Sequence, residues 1–318
     1  MRREESQREA RLAESALSIV REVTGASPKG VERIRRGVMT FKWRVALTDQ
    51  EAYVVRMYPA SRAHVVNYEP DVFRRCREKG IPLPQTICDS RTGPEAPLAY
   101  VVYVMVAGTP LSERLNSLSA TSMERVAQEL VTYLQLLQSV PVQGYGELVS
   151  GDTAGFSSWA EFVHASFSKG LSRARSCHLL PAEDIAKLNT PGAELEHLDM
   201  PETCGLAWGD LSTDNILIGS EDKISGLLDF EGVLAADFMA NLGYCFAGYY
   251  RTQFLESILR VWPVPLTESA WHTVRLYAIL RAVRILEHAH EPLPAGCMRS
   301  DIKALLPGFR AALDEIKG

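Results

Sequence analysis

The sequence predicts an α+β fold of two unequal lobes, a small N-terminal lobe built on an antiparallel sheet and a larger, mainly helical C-terminal lobe. Three observations predict it. Alternating and β-branched apolar runs are concentrated before about residue 106, and beyond it apolar residues recur at helical spacing. A short strand–turn–strand pattern over 216–228 interrupts those helices. A sheet-rich part, an extended connector and a helical part with an inserted hairpin make up this arrangement.

Residues 5–23 read as an amphipathic helix, with Leu12, Leu17, Val20 and Val23 among its apolar positions. Segments 43–47 and 52–58 read as strands joined by the turn Thr48-Asp49-Gln50-Glu51. The stretch 62–79 reads as a helix closed by Gly80. Pro70 fits only near a helix start or a kink, so the regular part begins near Glu69. Ile81-Pro82-Leu83-Pro84 is an extended connector, and 98–106 is a long apolar, β-branched run ending at Gly108-Thr109-Pro110. Helices are then expected over 121–139, 157–174, 181–196, 237–250, 267–288 and 301–316. No internal repeat or low-complexity segment is present.

At 318 residues, with 46% hydrophobic and 23% charged, the chain has ordinary globular composition and room for one large or two smaller domains. A formal net charge of −5 argues against nucleic acid as the main partner. The start, Met1-Arg2-Arg3-Glu4-Glu5, lacks the apolar core of a signal peptide. No stretch approaches the ~20 apolar residues of a membrane span. A cytoplasmic location without a membrane partner is therefore expected, and the oligomeric state is not legible. The cysteines at 76, 88, 177, 204, 245 and 297 form no Cys-x-x-Cys pair, so reduced thiols are expected rather than disulfides or zinc. His288 and His290 lie two apart, which does not align them on a helix face.

The most informative residues are Asp210, Asn215 and Asp229, in Trp208-Gly209-Asp210-Leu211-Ser212-Thr213-Asp214-Asn215-Ile216-Leu217 and Leu227-Leu228-Asp229-Phe230-Glu231-Gly232. Ile216-Leu217-Ile218 reads as a strand, 219–222 as a turn and 224–228 as the return strand. An antiparallel hairpin sets the start of one strand beside the end of the next, so Asn215 and Asp229 come together. Two hard oxygen ligands, with water and phosphate, suffice for magnesium. Asp210, on the loop entering the hairpin, is placed to take the proton of an attacking hydroxyl. The pattern points to phosphoryl transfer from a nucleotide triphosphate.

With these motifs the chain resembles the aminoglycoside phosphotransferase and choline kinase-like family, whose members have a protein-kinase-like fold. The family pattern His-Gly-Asp-x-x-x-x-Asn then Ile-Asp-Phe/Trp appears as Trp208-Gly209-Asp210 through Asn215, then Leu228-Asp229-Phe230. The resemblance runs from about Val31 to Gly248. It implies Asp210 as catalytic base, Asn215 and Asp229 as magnesium ligands, and ATP or GTP as phosphate donor. It implies that Arg56, in Val54-Val55-Arg56, stands where a nucleotide-binding Lys is usual, paired with Glu69. It also implies that backbone groups of Tyr103, Val104 and Met105 meet the base edge, at a hinge over about 103–108 that divides lobes 1–103 and 104–318.

Four positions depart from the family pattern. Trp208 replaces a loop-supporting His, and Arg56 replaces Lys. Arginine stays charged and forks onto carboxylate or phosphate oxygens, so it can still bridge Glu69 and nucleotide. Gly37-Val38-Met39-Thr40-Phe41-Lys42, where the phosphate-covering loop belongs, holds one glycine, and a plain hairpin turn fits it as well as direct phosphate contact. Asn241 replaces an Asp.

The expected function is that of a small-molecule kinase acting on a hydroxyl of an aminoglycoside-like or other antibiotic acceptor, with a metabolic alcohol, sugar or amino-acid alcohol as the alternative. A protein kinase is disfavoured, because Glu231 to Ala236 leads almost directly into the next helix and leaves little sequence for a peptide platform. A nucleotide-binding regulator without catalysis is the reading from another class. Glu231, Glu161, Asp214 and Glu287 are candidate acidic contacts to an acceptor. Trp159, Phe162, Phe167 and Tyr249-Tyr250 are candidate apolar ones, although helical aromatics more often belong to a core.

Overall fold

The computed structural model of the chain describes residues 2–36, 39–48, 51–287 and 300–315. His288, His290, Cys297 and part of the expected 48–51 turn lie outside the described residues. Helix α1 (Arg2–Thr24) is followed by strands β1 (Gly30–Ile34), β2 (Phe41–Ala46) and β3 (Ala52–Tyr58). Helix α2 (Glu69–Glu78) leads to β4 (Thr86–Asp89) and β5 (Ala99–Val104). These strands form one antiparallel sheet in the order β1-β2-β3-β5-β4. Strand alternation sends Trp43, Val45, Val55 and Met57 to one face, where they bury against Leu12, Ala16, Ile19 and Val20 of α1. Lys42, Arg56 and Tyr58 therefore point from the opposite face.

Helix α2 starts at Glu69, as Pro70 requires, because the first helical turn has no use for the amide that proline lacks. The residues ahead of it, Ala60–Asn67, form 3-10 turns, so the expected 62–79 helix is two pieces separated at Tyr68. At the far end Gly80 adopts φ 87°. That lets its amide reach the Arg77 carbonyl (2.9 Å) and the Ile81 amide reach Cys76 (3.2 Å), a Schellman closure. Both ends of the helix that carries Glu69 are thus set by local sequence.

The second part contains β6 (Thr109–Pro110), α3 (Leu111–Arg114), α4 (Ala120–Gln138), β7 (Tyr145–Leu148), β8 (Ala154–Phe156) and α5 (Trp159–Ser176). It continues with α6 (Ala182–Lys187), α7 (Asn189–Glu196), β9 (Gly205–Ala207), β10 (Ile216–Ile218), β11 (Ile224–Leu227) and β12 (Leu234–Ala236). Helices α8 (Met239–Tyr249), α9 (Gln253–Val261), α10 (Glu268–Glu287) and α11 (Ser300–Glu315) close the chain. Ser119 and Ser158 cap α4 and α5 by accepting from the amides of Ser122 (3.0 Å) and Glu161 (3.2 Å). Helix α10 packs against α5, α8 and α11. The expected 181–196 helix breaks at Leu188, just ahead of Pro191, whose ring cannot continue the amide ladder. Helix α9 is an addition to the expected set. Its cap is Thr252, which accepts from the Leu255 amide (3.2 Å). One apolar cluster joins Tyr58, Val72, Phe73 and Tyr103 of the first lobe to Trp208, Phe230 and the helices of the second.

Candidate active site

The hairpin forms as its sequence requires. Ile216 pairs with Leu227 in an antiparallel register, and the Leu228 amide donates to the Asn215 carbonyl over 2.8 Å. Asn215 and Asp229 are thereby held at the same end of the hairpin. Asn215 Nδ2 donates to Asp210 Oδ2 (2.9 Å) and to the Asp210 carbonyl (3.2 Å). Its amide group is thus oriented, and among the described residues Oδ1 accepts no hydrogen bond. Asp229 takes a left-handed backbone conformation, φ 60°, which short Asp side chains tolerate better than most.

Cations from the first lobe converge on Asp229. Arg56 Nη2 donates to Asp229 Oδ1 (2.9 Å) and to Glu231 Oε2 (2.6 Å), and Nη1 donates to Glu69 Oε1 (3.0 Å). Glu69 is fully buried and also accepts from the hydroxyls of Tyr58 and Tyr103. Glu231 further pairs with Arg62, and its carbonyl accepts from Tyr68 Oη (2.6 Å). Lys42 Nζ lies 3.6 Å from Asp229 Oδ2. Sequence reasoning anticipated the Arg56–Glu69 pair but missed Lys42 as a member of the site.

The loop around Asp210 is supported from behind. The Trp208 indole N–H donates to the Asp229 carbonyl (3.1 Å), and its ring stacks on Phe230. The Trp208 amide donates to Asn241 Oδ1 (2.9 Å), which gives the buried Asn241 a structural task. Arg281 of α10 donates to the carbonyls of Leu211 (3.2 Å) and Tyr244. Arg281 was not singled out from sequence. Its signal was a cation, like Arg284 three residues on, inside the otherwise apolar run Leu276 to Leu286, a placement that charged residues avoid unless paired.

This environment separates the two carboxyls. Burial pushes Asp210 up to about 6, with the neighbouring Asp229 charge adding to the rise and Arg281 opposing it. Asp229 is also buried, but Arg56 and Lys42 outweigh that and hold it well below the usual carboxylate range. Burial lowers the Lys42 ammonium, and Asp229 pulls it back. Neighbouring carboxyls driven apart in this way can take different chemical roles.

The donor set fits magnesium. A carboxylate and an amide oxygen are hard ligands, and each Asp229 oxygen keeps lone pairs beyond those used by Arg56. Among the described residues, no group of three or more His, Cys, Asp or Glu side chains is gathered to hold a metal unaided. Phosphate and water would complete the shell.

The hinge residues are used within the chain. The Val104 amide donates to the Gln85 carbonyl (2.9 Å) and the Met105 amide to Ala52 (2.9 Å), both as strand pairing. Tyr103 joins the site through its hydroxyl on Glu69. Among the acceptor candidates, Glu231 is held by Arg56 and Arg62, and Asp214 by Arg36 (3.3 Å) and Ser112. Glu161 accepts from the Ser157 hydroxyl (2.7 Å) at the start of α5, and Glu287 ends α10. Trp159, Phe162, Phe167 and Tyr249 are core residues, whereas Tyr250 is partly exposed.

A profile of the phosphotransferase enzyme family (APH) matches residues 30–277. No curated protein matches the chain. Among solved structures, the apo form of a thermostable mutant of aminoglycoside phosphotransferase APH(4)-Ia is similar, with 15% identity and a TM-score of 0.71, covering 95% of this chain and 99% of that one. The streptomycin–ATP–APH(2″)-IIa ternary complex is 15% identical with a TM-score of 0.62, covering 95% and 96%. The GDP complex of a mutant aminoglycoside 2′-phosphotransferase-IIIa is 17% identical with a TM-score of 0.66, covering 96% and 97%. At such identities these likenesses establish a shared protein-kinase-like fold. The family profile, in contrast, spans the sheet, the hairpin and the helices that support it. The chain belongs to the phosphotransferase enzyme family and is a small-molecule kinase that transfers phosphate to a hydroxyl acceptor.

Proposed function

We propose that this kinase uses magnesium and moves the γ-phosphate of ATP or GTP onto a hydroxyl of an aminoglycoside-like or other antibiotic acceptor. The observation that carries the chemistry is Asp210 held by Asn215 at 2.9 Å while Asp229 stays ionised beside Arg56. Asp210 receives the acceptor's proton. With its carboxyl up at about 6, it is a stronger base than an ordinary aspartate and is still largely ionised at neutral pH. Asn215 Oδ1 and Asp229 would hold magnesium, which when bound neutralises charge on the transferring phosphate. Glu69 fixes Arg56, and Arg56 fixes Asp229. Tyr103 acts through Glu69. Carbonyls of the Val104–Met105 segment and the Val106 amide, which makes no hydrogen bond among the described residues, are assigned to the nucleotide base. Rate enhancement comes from alignment and charge placement.

Three observations support the acceptor and donor assignments. The fold neighbours include complexes with hygromycin B and with streptomycin. They also include nucleotide complexes with ATP and with GDP. The link from Asp229 to Asp237 is short and partly taken up by β12, which favours a compact acceptor over a peptide. Among the described residues no helix is long and apolar enough to cross a membrane, and the reading places the enzyme in the cytoplasm with its nucleotide.

The test is mass spectrometry for phosphate addition (about 80 Da) to a panel of aminoglycosides, other hydroxylated antibiotics, alcohols and sugars. ATP and GTP are each supplied with magnesium, and Asp210→Asn serves as control. Transfer to an antibiotic that is lost in the control is the expected result. Transfer confined to metabolic alcohols or sugars would remove the antibiotic assignment and keep the kinase.

A further inference from the structure

Strands β2 and β3 set Lys42 directly opposite Arg56, and both side chains leave the sheet on the face away from α1. The two cations are used differently. Arg56 is 5% exposed, and its guanidinium is spent inside the chain. Nε donates to Thr40 Oγ1 (3.2 Å), Nη1 to Glu69, and Nη2 to both Asp229 and Glu231. Those contacts engage about four of the five N–H groups an arginine has. Three carboxylates already surround this single charge.

Lys42 is the opposite case. Its side chain is 18% exposed, and its Nζ lies 3.6 Å from Asp229 Oδ2, beyond hydrogen-bond reach. Among the described residues the ammonium makes no hydrogen bond. A mostly enclosed ammonium with unspent donors is a place for an anion to arrive. Its ion-pair partner is the carboxylate assigned above to magnesium, so phosphate oxygens bound to that metal would come within reach of Lys42.

We propose that Lys42 is the residue that binds the phosphate oxygens of the nucleotide, and that Arg56 is a positioning residue that holds Glu69, Asp229 and Glu231 together. The proposal rests on the kinase reading above. The division of labour follows from the two groups. A planar guanidinium can bridge several carboxylates at once, whereas an ammonium on a flexible stem can follow a phosphate. When the triphosphate binds, Lys42 exchanges its loose pairing with Asp229 for a phosphate contact, and the released Oδ2 becomes available to the metal.

Nucleotide binding to the full chain tests this without an acceptor. MgATP, MgGTP, AMP and GMP are titrated by calorimetry into the wild type, Lys42→Ala, Lys42→Arg and Arg56→Lys, with thermal melting in parallel. Lys42→Ala is expected to weaken triphosphate binding by ~10–100-fold while changing monophosphate affinity less than about threefold and leaving Tm in place. Lys42→Arg recovers part of the loss. Arg56→Lys is expected to lower Tm and to raise the magnesium concentration needed for triphosphate binding, because Asp229 loses its anchor. Triphosphate affinity within about twofold of wild type in Lys42→Ala overturns the assignment and leaves the kinase reading standing. A wild type that binds neither triphosphate overturns both. If Lys42→Ala does not fold, an ATP acyl-phosphate decides on the wild-type chain. A nearby lysine amine attacks its acyl carbonyl, forming an amide and releasing ATP. Acylation of Lys42 that MgATP suppresses supports the proposal, and acylation only at other lysines overturns it.

Discussion

Trp208 donates its indole N–H to the backbone carbonyl of Asp229 over 3.1 Å, while its ring stacks on Phe230 with 5.2 Å between centroids. One residue thus ties the loop carrying Asp210 to the turn carrying Asp229. The imidazole that the family pattern has here could donate one hydrogen bond. The indole supplies that bond and a larger buried surface.

Trp208→Phe keeps much of the packing but leaves the Asp229 carbonyl without its donor. Stability is expected to fall by ~1–3 kcal/mol, the usual cost of a buried unpaired polar group, and more magnesium should be needed for half-maximal turnover. Trp208→His should retain more activity than Trp208→Phe. Urea unfolding and magnesium titrations check both, and equal behaviour of the two variants would refute a role for the indole N–H.

Gly209 sits so close to the turn after Asp229 that an added Cβ would lie 1.8 Å from the Gly232 carbonyl oxygen. Backbone, rather than a movable side chain, is the obstacle. Gly209→Ala is expected to cost about 3 kcal/mol or more and to abolish turnover. Gly30→Ala, which meets nothing within 4 Å, is the control and should be close to neutral. Comparison of their melting curves is the measurement.

Asp210 has a raised pKa, so folding binds its proton more tightly than the unfolded chain does. The native state therefore gains from this group below the unfolded value near 3.8. It loses that gain as pH rises through the window up to about 6. At about 1.4 kcal/mol per pKa unit, ionised Asp210 costs the metal-free fold up to ~3 kcal/mol above that window. Asp229 runs the other way. Its depressed value contributes stability above the ordinary carboxylate range that is lost on acidification. Asp210→Asn is thus expected to raise Tm at pH 7.5 relative to wild type, with the difference shrinking below about pH 4. The same variant should lose ~10²–10⁴-fold in turnover. A Tm difference independent of pH would contradict the origin assigned to it.

Burial pushes the thiols of Cys76 and Cys245 up to about 12. The thiolate is the reacting form, so neither should be alkylated at pH 8 in the native chain. Cys177 is partly exposed at the end of α5 and should react under the same conditions. Peptide-resolved mass spectrometry after brief iodoacetamide treatment, with and without denaturant, checks this. Native labelling of Cys76 or Cys245 would mean that the core opens there.

Asn215 and Asp229 were legible as neighbours because an antiparallel hairpin brings them together over a few residues. The start of α2 was legible because Pro70 and Gly80 bound it. The break at Leu188 and the short helix after Thr252 were harder to read. Pro191 removes one amide from the ladder, which either kinks a helix or starts a new one, and only the packing shows which. Arg281 was visible as a charge in the apolar stretch of a helix, but its partners, the carbonyls of Leu211 and Tyr244, lie far away in the chain.

The chemical groups along the chain were determined by sequence alone: a cation on an early strand, a glutamate opening a helix, an acidic hairpin. Each depends on contacts within a few residues, where backbone geometry leaves few choices. Which cation keeps unspent donors was decided only in three dimensions. The register of β2 on β3 puts Lys42 beside Arg56, and the second lobe then delivers Asp229 and Glu231 to saturate the arginine first. Long-range packing sets that competition for carboxylates, and no local pattern encodes its outcome.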